Sequence, residues 1–308
     1  MEARAIVVLV LASVSLAAFA TSCGGGDSSS DVITADGSST VGPFTTKAAE
    51  DWKAAGGSDV TVGISGTGGG LERFCAGETD ISNASRPIDA EEAAMCKENG
   101  VEYVELQVAT DALTNVVNLG NDWATCLTVE QLNAIWKPGS TIDNWSQVDP
   151  SFPDVPIKLY GAGTDSGTFD YFTDVINGEE GASRSDFSAT EDDNVTVQGV
   201  SGDEGALGYF GFSYYEENQD KLKALEVDGG QGCVAPSAAS AQDGSYTPLA
   251  RPLFIYVKLS SLNDNPSLVD FVQYALENEQ TIAEEAQYVP LSQEQIDKQL
   301  SKLADATA

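Results

Sequence analysis

The 308-residue sequence contains no histidine, and basic residues are scarce. Without histidine, Ser-His-Asp and Cys-His catalysis are excluded, as are His-ligated zinc, copper and non-haem iron sites. Fifteen Lys and Arg residues against 48 Asp and Glu residues give a formal net charge of −33. Because affinity for a phosphate backbone needs clustered basic residues, this surface predicts no nucleic-acid partner. We also predict neither a cofactor nor a metal ion.

The composition is that of a folded chain with more than one core. A hydrophobic fraction of 42% excludes global disorder. The length is too great for one compact core and suits two lobes of about 150 residues each. Strand-like apolar runs alternate with capped helical patterns, which predicts an α/β fold. Caps at Asp89, Thr128, Asn265 and Ser292 predict the starts of four helices.

The first residues have the pattern of an export signal. Arg4 precedes an apolar stretch over 5–20, which is short for a transmembrane helix but typical of a secretory signal. Small residues lead up to Cys23, and a Gly/Ser tether occupies 23–30. The pattern predicts a lipoprotein signal peptide over 1–22 and lipidation of Cys23; the alternative is a plain secretory signal with an unmodified cysteine. We expect an extracytoplasmic protein, held on the outer face of the cell membrane by its lipid anchor only.

Removing Cys23 from the five cysteines leaves an even number, and an exported chain favours disulfides among them. Three pairings are open. Cys75 and Cys96 flank one short segment, whereas Cys126 and Cys233 bracket the middle of the chain. We therefore predict the disulfides Cys75–Cys96 and Cys126–Cys233. The alternative, four buried free thiols, suits an extracytoplasmic chain less well.

Two apolar segments, 112–117 and 253–257, are candidates for strands that pass between the lobes. If both cross, the first lobe is built from 31–113 together with 252–308, and the second lobe from 114–251. A cleft between two lobes joined in this way is a natural site for a small ligand, and it can close by a hinge motion.

Three segments rich in glycine and hydroxyl side chains, 36–40, 65–70 and 163–168, each lie between a predicted strand and a helix. The unpaired N–H groups and the positive dipole end of a helix N-terminus favour an anion. A single such segment is better explained as a helix cap and turn. Three of them, drawn from both predicted lobes, favour a cage of donors around an oxyanion. No Gly-Lys-Ser/Thr follows the glycines, so this is not a nucleotide-binding loop.

Only five arginines occur, and we prefer Arg86 as the charged ligand. It follows the end of a predicted strand, and a guanidinium can hold a tetrahedral oxyanion with two parallel hydrogen bonds. The alternative is a surface ion pair, which is easy to form among 48 acidic residues. Arg73 projects from a helix and is assigned a structural role. Arg184 is a second candidate ligand.

Together these motifs resemble the phosphate-binding receptor proteins of bacterial ABC phosphate importers, which have the type II periplasmic-binding-protein fold. The resemblance covers about residues 31–300 and is carried by 36–43, 66–71, 80–88 and 165–169. It implies a two-lobed α/β fold with two crossing segments and an interlobe cleft. It also implies a receptor, not an enzyme, that captures inorganic phosphate and delivers it to the transmembrane subunits of an ABC permease. We expect a monomer.

The resemblance also implies positions for the phosphate-binding groups. The family's donors fall on Ser39, Thr40, Thr67, Ser166, Gly167 and Thr168. Better-known members carry an aspartate where this chain has Arg86, and an arginine just before the Ser-Gly-Thr loop, where this chain has none. The cation has therefore moved from one lobe to the other. Asp165 and Asp36 are then the nearby candidates for accepting the proton of hydrogen phosphate.

Three other functions compete with phosphate capture. One is a receptor for another tetrahedral oxyanion such as sulfate. Another is a phosphate-ester hydrolase or serine enzyme that uses Ser39 or Ser166, but the sequence has no histidine base, no Gly-x-Ser-x-Gly elbow and no evident metal cluster. A surface adhesin is the third, and no feature of the sequence favours it.

Overall fold

The computed structural model describes residues 32–164 and 166–308. The predicted signal peptide, the predicted lipidation site Cys23, the predicted tether and Asp165 lie outside these residues. Within the described residues, none of the helices combines the length and apolar character needed to cross a membrane.

Strands and helices alternate along most of the described chain, as the sequence predicted. The strands are β1 (Ile33–Gly37), β2 (Val60–Val62), β3 (Ile81–Ala84), β4 (Tyr103–Asn118), β5 (Cys126–Thr128), β6 (Lys158–Ala162), β7 (Ser188–Thr190), β8 (Ala206–Gly211), β9 (Leu222–Ala224), β10 (Glu226–Asp228), β11 (Cys233–Val234) and β12 (Ala250–Lys258). The helices are α1 (Gly42–Ala54), α2 (Gly66–Cys75), α3 (Ala90–Glu98), α4 (Val129–Trp136), α5 (Trp145–Val148), α6 (Gly167–Phe172), α7 (Asp193–Ser201), α8 (Phe212–Glu217), α9 (Ala238–Gln242), α10 (Leu259–Asp264), α11 (Pro266–Glu277), α12 (Glu279–Glu285) and α13 (Gln293–Ala306). A π-helical turn, Thr173–Asn177, continues α6.

The main sheet has nine strands and consists of two parallel parts joined by two long antiparallel strands. In one part β1 pairs in parallel with β2 and β3, and in the other β6 pairs in parallel with β7 and β8. Between them, β12 pairs antiparallel with β3 and β4, and the second half of β4 pairs antiparallel with β8 and β9. β5, β10 and β11 form a separate sheet.

Two large hydrophobic cores flank the junction of these two parts. The first core uses residues from 33–109 and 253–303, and the second uses residues from 113–249. β4 serves both, because Leu106 packs in the first core and Leu113 in the second. We call the two parts the first and second lobe. The predicted crossing segments lie in β4 and β12, although β4 already begins at Tyr103, where polar side chains concealed the strand.

The local signals that define helix starts are reliable in this chain. At α3 the Asp89 carboxylate accepts from the Glu92 amide at 2.8 Å, and at α4 the Thr128 hydroxyl accepts from the Gln131 amide at 3.2 Å. Asn265 and Ser292 cap α11 and α13 in the same way. All four predicted caps are confirmed.

Both predicted disulfides are present. Cys75–Cys96 links α2 to α3, and Cys126–Cys233 links β5 to β11. The bonds therefore join one pair of neighbouring helices in the first lobe and the two outer strands of the small sheet beside the second core.

Two helices start earlier than the sequence predicted. α1 begins at Gly42 rather than at 45, because Pro43 occupies the first turn, where a missing N–H costs nothing. α2 begins at Gly66, so the glycine segment forms its first turns instead of a preceding loop. Gly70 allows close packing, because a Cβ there would lie 2.3 Å from the Gly37 Cα. The N-terminal end of α2 is thus pressed against the end of β1.

Candidate functional site

A cavity of about 580 Å³ is bordered by the first-lobe loops and by helical residues of the second lobe. From the first lobe come three short segments, 38–40, 65–69 and 85–87. The opposite wall includes Asp170, Tyr171 and Glu180, and the strand β12 contributes its first residues. The predicted ligands Ser39, Thr40, Thr67 and Arg86 all line this cavity.

The first loop is held by backbone contacts at the end of β1. Gly37 has φ +140°, and a Cβ there would lie 2.2 Å from the Asn83 carbonyl oxygen, so only glycine fits. The next amide, of Ser38, donates to that same carbonyl at 2.9 Å. The Tyr288 hydroxyl donates to the carbonyl oxygen of Thr40. These contacts place Ser39 and Thr40 at the cavity.

The second loop and the Arg86 loop are joined to each other. The Thr67 hydroxyl accepts from the Ser85 amide at 3.2 Å, and the two hydroxyl oxygens lie 3.0 Å apart. α2 therefore presents Thr67 in its first turn, beside the segment that carries Arg86.

The third loop approaches the first loop from the second lobe. Ser166 caps α6, because its hydroxyl accepts from the Thr168 amide at 3.2 Å. A Cβ on Gly167 would lie 3.0 Å from the Thr40 hydroxyl oxygen, so the two loops are in contact. Among the described residues, the cavity lining on this side begins at Asp170 and does not include Ser166, Gly167 or Thr168, although Gly167 contacts Thr40.

Arg86 lines the cavity, but its guanidinium is engaged. Nη1 and Nη2 each donate to one carboxylate oxygen of Glu92, both at 2.8 Å, and Nη1 also donates to the Pro87 carbonyl. The side chain is 44% exposed. The Glu92 carboxylate also raises the pKa of Arg86. The surface ion pair that was the alternative for this residue is therefore present.

Three other charged groups considered in the sequence analysis, Asp36, Arg73 and Arg184, form hydrogen bonds and ion pairs within the protein. Both oxygens of the buried Asp36 carboxylate accept hydrogen bonds, one from the Ser65 hydroxyl and one from Arg73. Arg73 is structural, as predicted. Arg184 is also buried: it pairs with Asp186 and donates to the carbonyls of Ile135 and Ile142. It lines a different, smaller cavity, which removes it from the candidate ligands.

The sequence did not indicate Arg251, which also lines the cavity. Its Nη2 donates to the Thr40 hydroxyl at 3.0 Å and its Nε to Asp111 at 3.1 Å. The guanidinium carbon lies 3.6 Å from the centre of the Tyr171 ring. A signal was available: Asp111 and Arg251 have opposite charges, and each stands beside one of the two predicted crossing segments.

Carboxyl groups line the second-lobe wall opposite the loops: Asp170, Asp174 and Glu180. Burial raises the pKa of Asp170, Glu180 raises it further, and Arg251 acts in the opposite direction. Elsewhere in the described residues, Cys126, Glu226 and Cys233 place metal-ligating atoms within 4.8 Å of one another. Both sulfurs there are joined in a disulfide, so they are not available as thiolate ligands.

The lobes, the crossing strands and the shared cleft define a two-lobed solute-binding protein of the periplasmic type II class. The sequence profile described as "PBP superfamily domain" matches residues 24–279. Protein SphX of Synechocystis sp. is 50% identical over 268 residues, which cover 86% of this chain and 80% of that protein. The phosphate-binding protein PstS of Staphylococcus saprophyticus is 41% identical over 293 residues, which cover 92% of this chain and 89% of that protein.

A solved structure gives the same result. The crystal structure of a possible phosphate binding protein from Planctomyces limnophilus matches with a TM-score of 0.86 and 46% identity, over 90% of this chain and 99% of that chain. The chain therefore belongs to the PBP superfamily, in the family of bacterial phosphate-binding receptor proteins. This confirms the family and the fold that the sequence motifs indicated.

Proposed function

We propose that this protein captures inorganic phosphate in the interlobe cleft and delivers it to the transmembrane subunits of an ABC permease. The observation that carries the proposal is the contact between the loops of the two lobes: Gly167 meets Thr40 beside a cavity that Thr67 and two arginines also line. Because a receptor must hold its ligand between both lobes, donors from each lobe have to reach the same place.

The proposed ligand groups are hydroxyls, backbone amides and one arginine from the predicted set. They are Ser39, Thr40, Thr67, Arg86, Ser166, Gly167 and Thr168. Hydrogen bonds from such donors to a charged oxygen are worth about 1.5–3 kcal/mol each, so a few of them offset much of the cost of desolvating the anion. A mostly neutral donor set also suits a protein whose formal net charge is −33.

Selection of phosphate over sulfate needs a group that accepts a proton. Monohydrogen phosphate can donate one proton, whereas sulfate has none to donate at neutral pH. Asp165 and Asp36 are the proposed acceptors. Of the two, Asp36 already accepts from Ser65 and Arg73, so it would have to share its oxygens with the ligand.

The oligomeric state, the export signal, the membrane anchor and the lobe boundaries are proposed from the sequence. We propose a monomeric receptor rather than an enzyme, exported by the 1–22 signal and anchored outside the cell membrane through lipidated Cys23. We also propose the lobe boundaries 31–113 with 252–308, and 114–251. The two separate hydrophobic cores support that division.

Titration of the delipidated chain with phosphate and with sulfate, from pH 6 to 9, tests the function. We expect heat from phosphate binding and far weaker binding of sulfate. Thr168→Ala should weaken phosphate binding by about tenfold, since one hydrogen bond to a charged group is lost. Thr281→Ala, at an exposed position of α12, is the matched control and should leave the affinity unchanged. Absence of phosphate binding, or preference for sulfate, would contradict the proposal.

A further inference from the structure

We propose that Arg251, rather than Arg86, is the main positive charge that holds the anion in the cleft. This inference rests on the proposed function and concerns the same cavity. It assigns a ligand role to a residue on a crossing strand, outside all the glycine and hydroxyl loops.

The two guanidinium groups differ in how many N–H groups remain for a ligand. The Nη1/Nη2 edge of Arg86, which would receive a tetrahedral anion, is already bound to both oxygens of the Glu92 carboxylate. Among the described residues, the Nε–H and one Nη2 N–H of Arg86 have no partner, so only an anion that binds the Nη1/Nη2 edge must displace the Glu92 carboxylate.

Arg251 presents the opposite arrangement. A guanidinium has five N–H donors. Among the described residues, its Nε–H is taken by Asp111 and one N–H of Nη2 by Thr40, so the Nη1 donors and the second Nη2 donor are unengaged. Three N–H donors of Arg251, against two of Arg86, therefore remain for hydrogen bonds to an oxyanion.

The position of Arg251 is fixed by groups from separate elements. Asp111 lies directly opposite it in the antiparallel pairing of β4 and β12. The guanidinium carbon lies over the Tyr171 ring, and the Tyr171 hydroxyl donates to the Pro248 carbonyl at 2.7 Å, which holds the ring in place. A cation fixed in this way loses little side-chain entropy when the anion arrives.

Arg251 also adjoins a predicted ligand. The Thr40 hydroxyl oxygen accepts from Nη2, so its own proton remains for the anion. Because the two atoms are 3.0 Å apart, an anion that accepts from the Thr40 hydroxyl lies within reach of the free guanidinium donors. Thr40 is in turn beside Gly167 of the second lobe. Arg251 therefore stands where the loops of both lobes meet.

The test compares phosphate affinity, measured by calorimetry, in Arg251→Gln and Arg86→Gln. We expect Arg251→Gln to weaken binding by at least about thirtyfold, since two charged hydrogen bonds are lost, and Arg86→Gln by less than about fivefold. The phosphate affinity of Arg251→Lys should lie between those of wild type and Arg251→Gln, because lysine keeps the charge but cannot donate two parallel hydrogen bonds. Lys53→Gln removes one positive charge at an exposed pair with Asp59, outside the cavity, and should change affinity by less than about twofold.

Arg251→Gln leaves Asp111 without its cation, so folding is checked by circular dichroism before each titration. If that variant does not fold, two others replace it: Arg251→Lys, and the double variant Arg251→Gln with Asp111→Asn, which leaves neither charge buried. Their loss of phosphate affinity is compared with that of Arg86→Gln in the same way. A greater loss in Arg86→Gln than in the Arg251 variants, or no loss in the latter, would overturn the inference while leaving phosphate binding intact. A wild-type chain that does not bind phosphate would instead contradict the proposed function.

Discussion

Arg251 and Arg86 line the same cavity, yet 18% of the Arg251 side chain and 44% of the Arg86 side chain are exposed to solvent. Arg251 lies on a crossing strand and is held by Asp111, Thr40 and Tyr171. Arg86 lies on a loop and is held by the Glu92 carboxylate and the adjacent Pro87 carbonyl. The comparison shows that two arginines lining one cavity can differ in how many of their N–H donors their partners leave for a ligand. The pairs should also differ in their contribution to stability, because screening by water weakens exposed pairs.

The largest expected effect is on stability. Burial raises the pKa of Asp111, and Arg251 offsets part of that increase. Arg251→Gln removes the cation that pairs with Asp111 and leaves a buried carboxylate without a counter-charge. The free energy of unfolding should therefore fall by about 2–4 kcal/mol at pH 8. Arg86→Gln should cost less than about 1 kcal/mol, because its pair is exposed. Urea unfolding of both variants measures the difference.

The pH dependence of the Arg251→Gln variant provides the control. A carboxyl group whose pKa is raised on folding binds more protons in the folded state, so stability falls as pH rises from the unfolded value of about 4. The loss of unfolding free energy in Arg251→Gln, relative to wild type, should therefore be smaller at pH 5 than at pH 8. It should become independent of pH when Asp111→Asn is added. Equal losses in the two arginine variants would remove the distinction between the pairs.

The same comparison shows which features a sequence can reveal. Helix caps at Asp89 and Thr128, and the Cys75–Cys96 disulfide, depend on residues close together along the chain and were predicted. The contact of Arg251 with Asp111 depends on the register of β4 against β12: the sequence places opposite charges beside the two predicted crossing segments but does not show that they lie opposite each other. Local patterns identify elements and loops, but they do not show which distant side chains will share a partner.

Arg86 shows a second limit of the sequence. The sequence predicted Asp89 as the cap of α3, and the Glu92 carboxylate completes the capping box by accepting from the Asp89 amide. The same carboxylate also holds Arg86. Sequence spacing could not reveal that one carboxylate has both partners. Nor could it show that Gly66 begins α2, because the packing of Gly70 on Gly37 is a contact between distant segments.

The next effect concerns the loop that Arg251 contacts. Tyr288→Phe removes the hydroxyl that donates to the Thr40 carbonyl, and so loosens the Arg251 side of the cavity. We expect phosphate affinity to fall by about fivefold, which corresponds to one ordinary hydrogen bond. Tyr274→Phe, whose ring packs on Trp52 away from the cavity, is the matched control for calorimetry. An equal effect of both changes would show that Thr40 is not specifically positioned by Tyr288.

A smaller effect is expected from the carboxyl group that opposes the arginines. Because the pKa of Asp170 is raised, its carboxyl becomes ionised over a range above the ordinary value of an aspartate, and the negative charge then repels a bound anion. Phosphate affinity should therefore fall as pH rises through that range. Asp170→Asn should flatten the curve and improve affinity by a few-fold at its upper end. Phosphate itself titrates equally in the measurements on wild type and on Asp170→Asn, so the difference between the two affinity curves reports on the protein. Identical curves of affinity against pH would contradict the prediction.

The smallest effect tests whether Arg86 can be made to resemble Arg251. Glu92→Gln removes the charge that occupies the Arg86 guanidinium, while the amide oxygen can still accept from the Asp89 N–H. We expect phosphate affinity to rise by about two- to threefold at low salt, and the gain to disappear near 0.5 M salt, because exposed charges are screened. Glu91→Gln, one residue away in the same helical turn, removes the same charge without touching Arg86. A gain that is equal in both variants would reflect net charge alone, whereas a gain specific to Glu92→Gln would show that its partner keeps Arg86 from the anion.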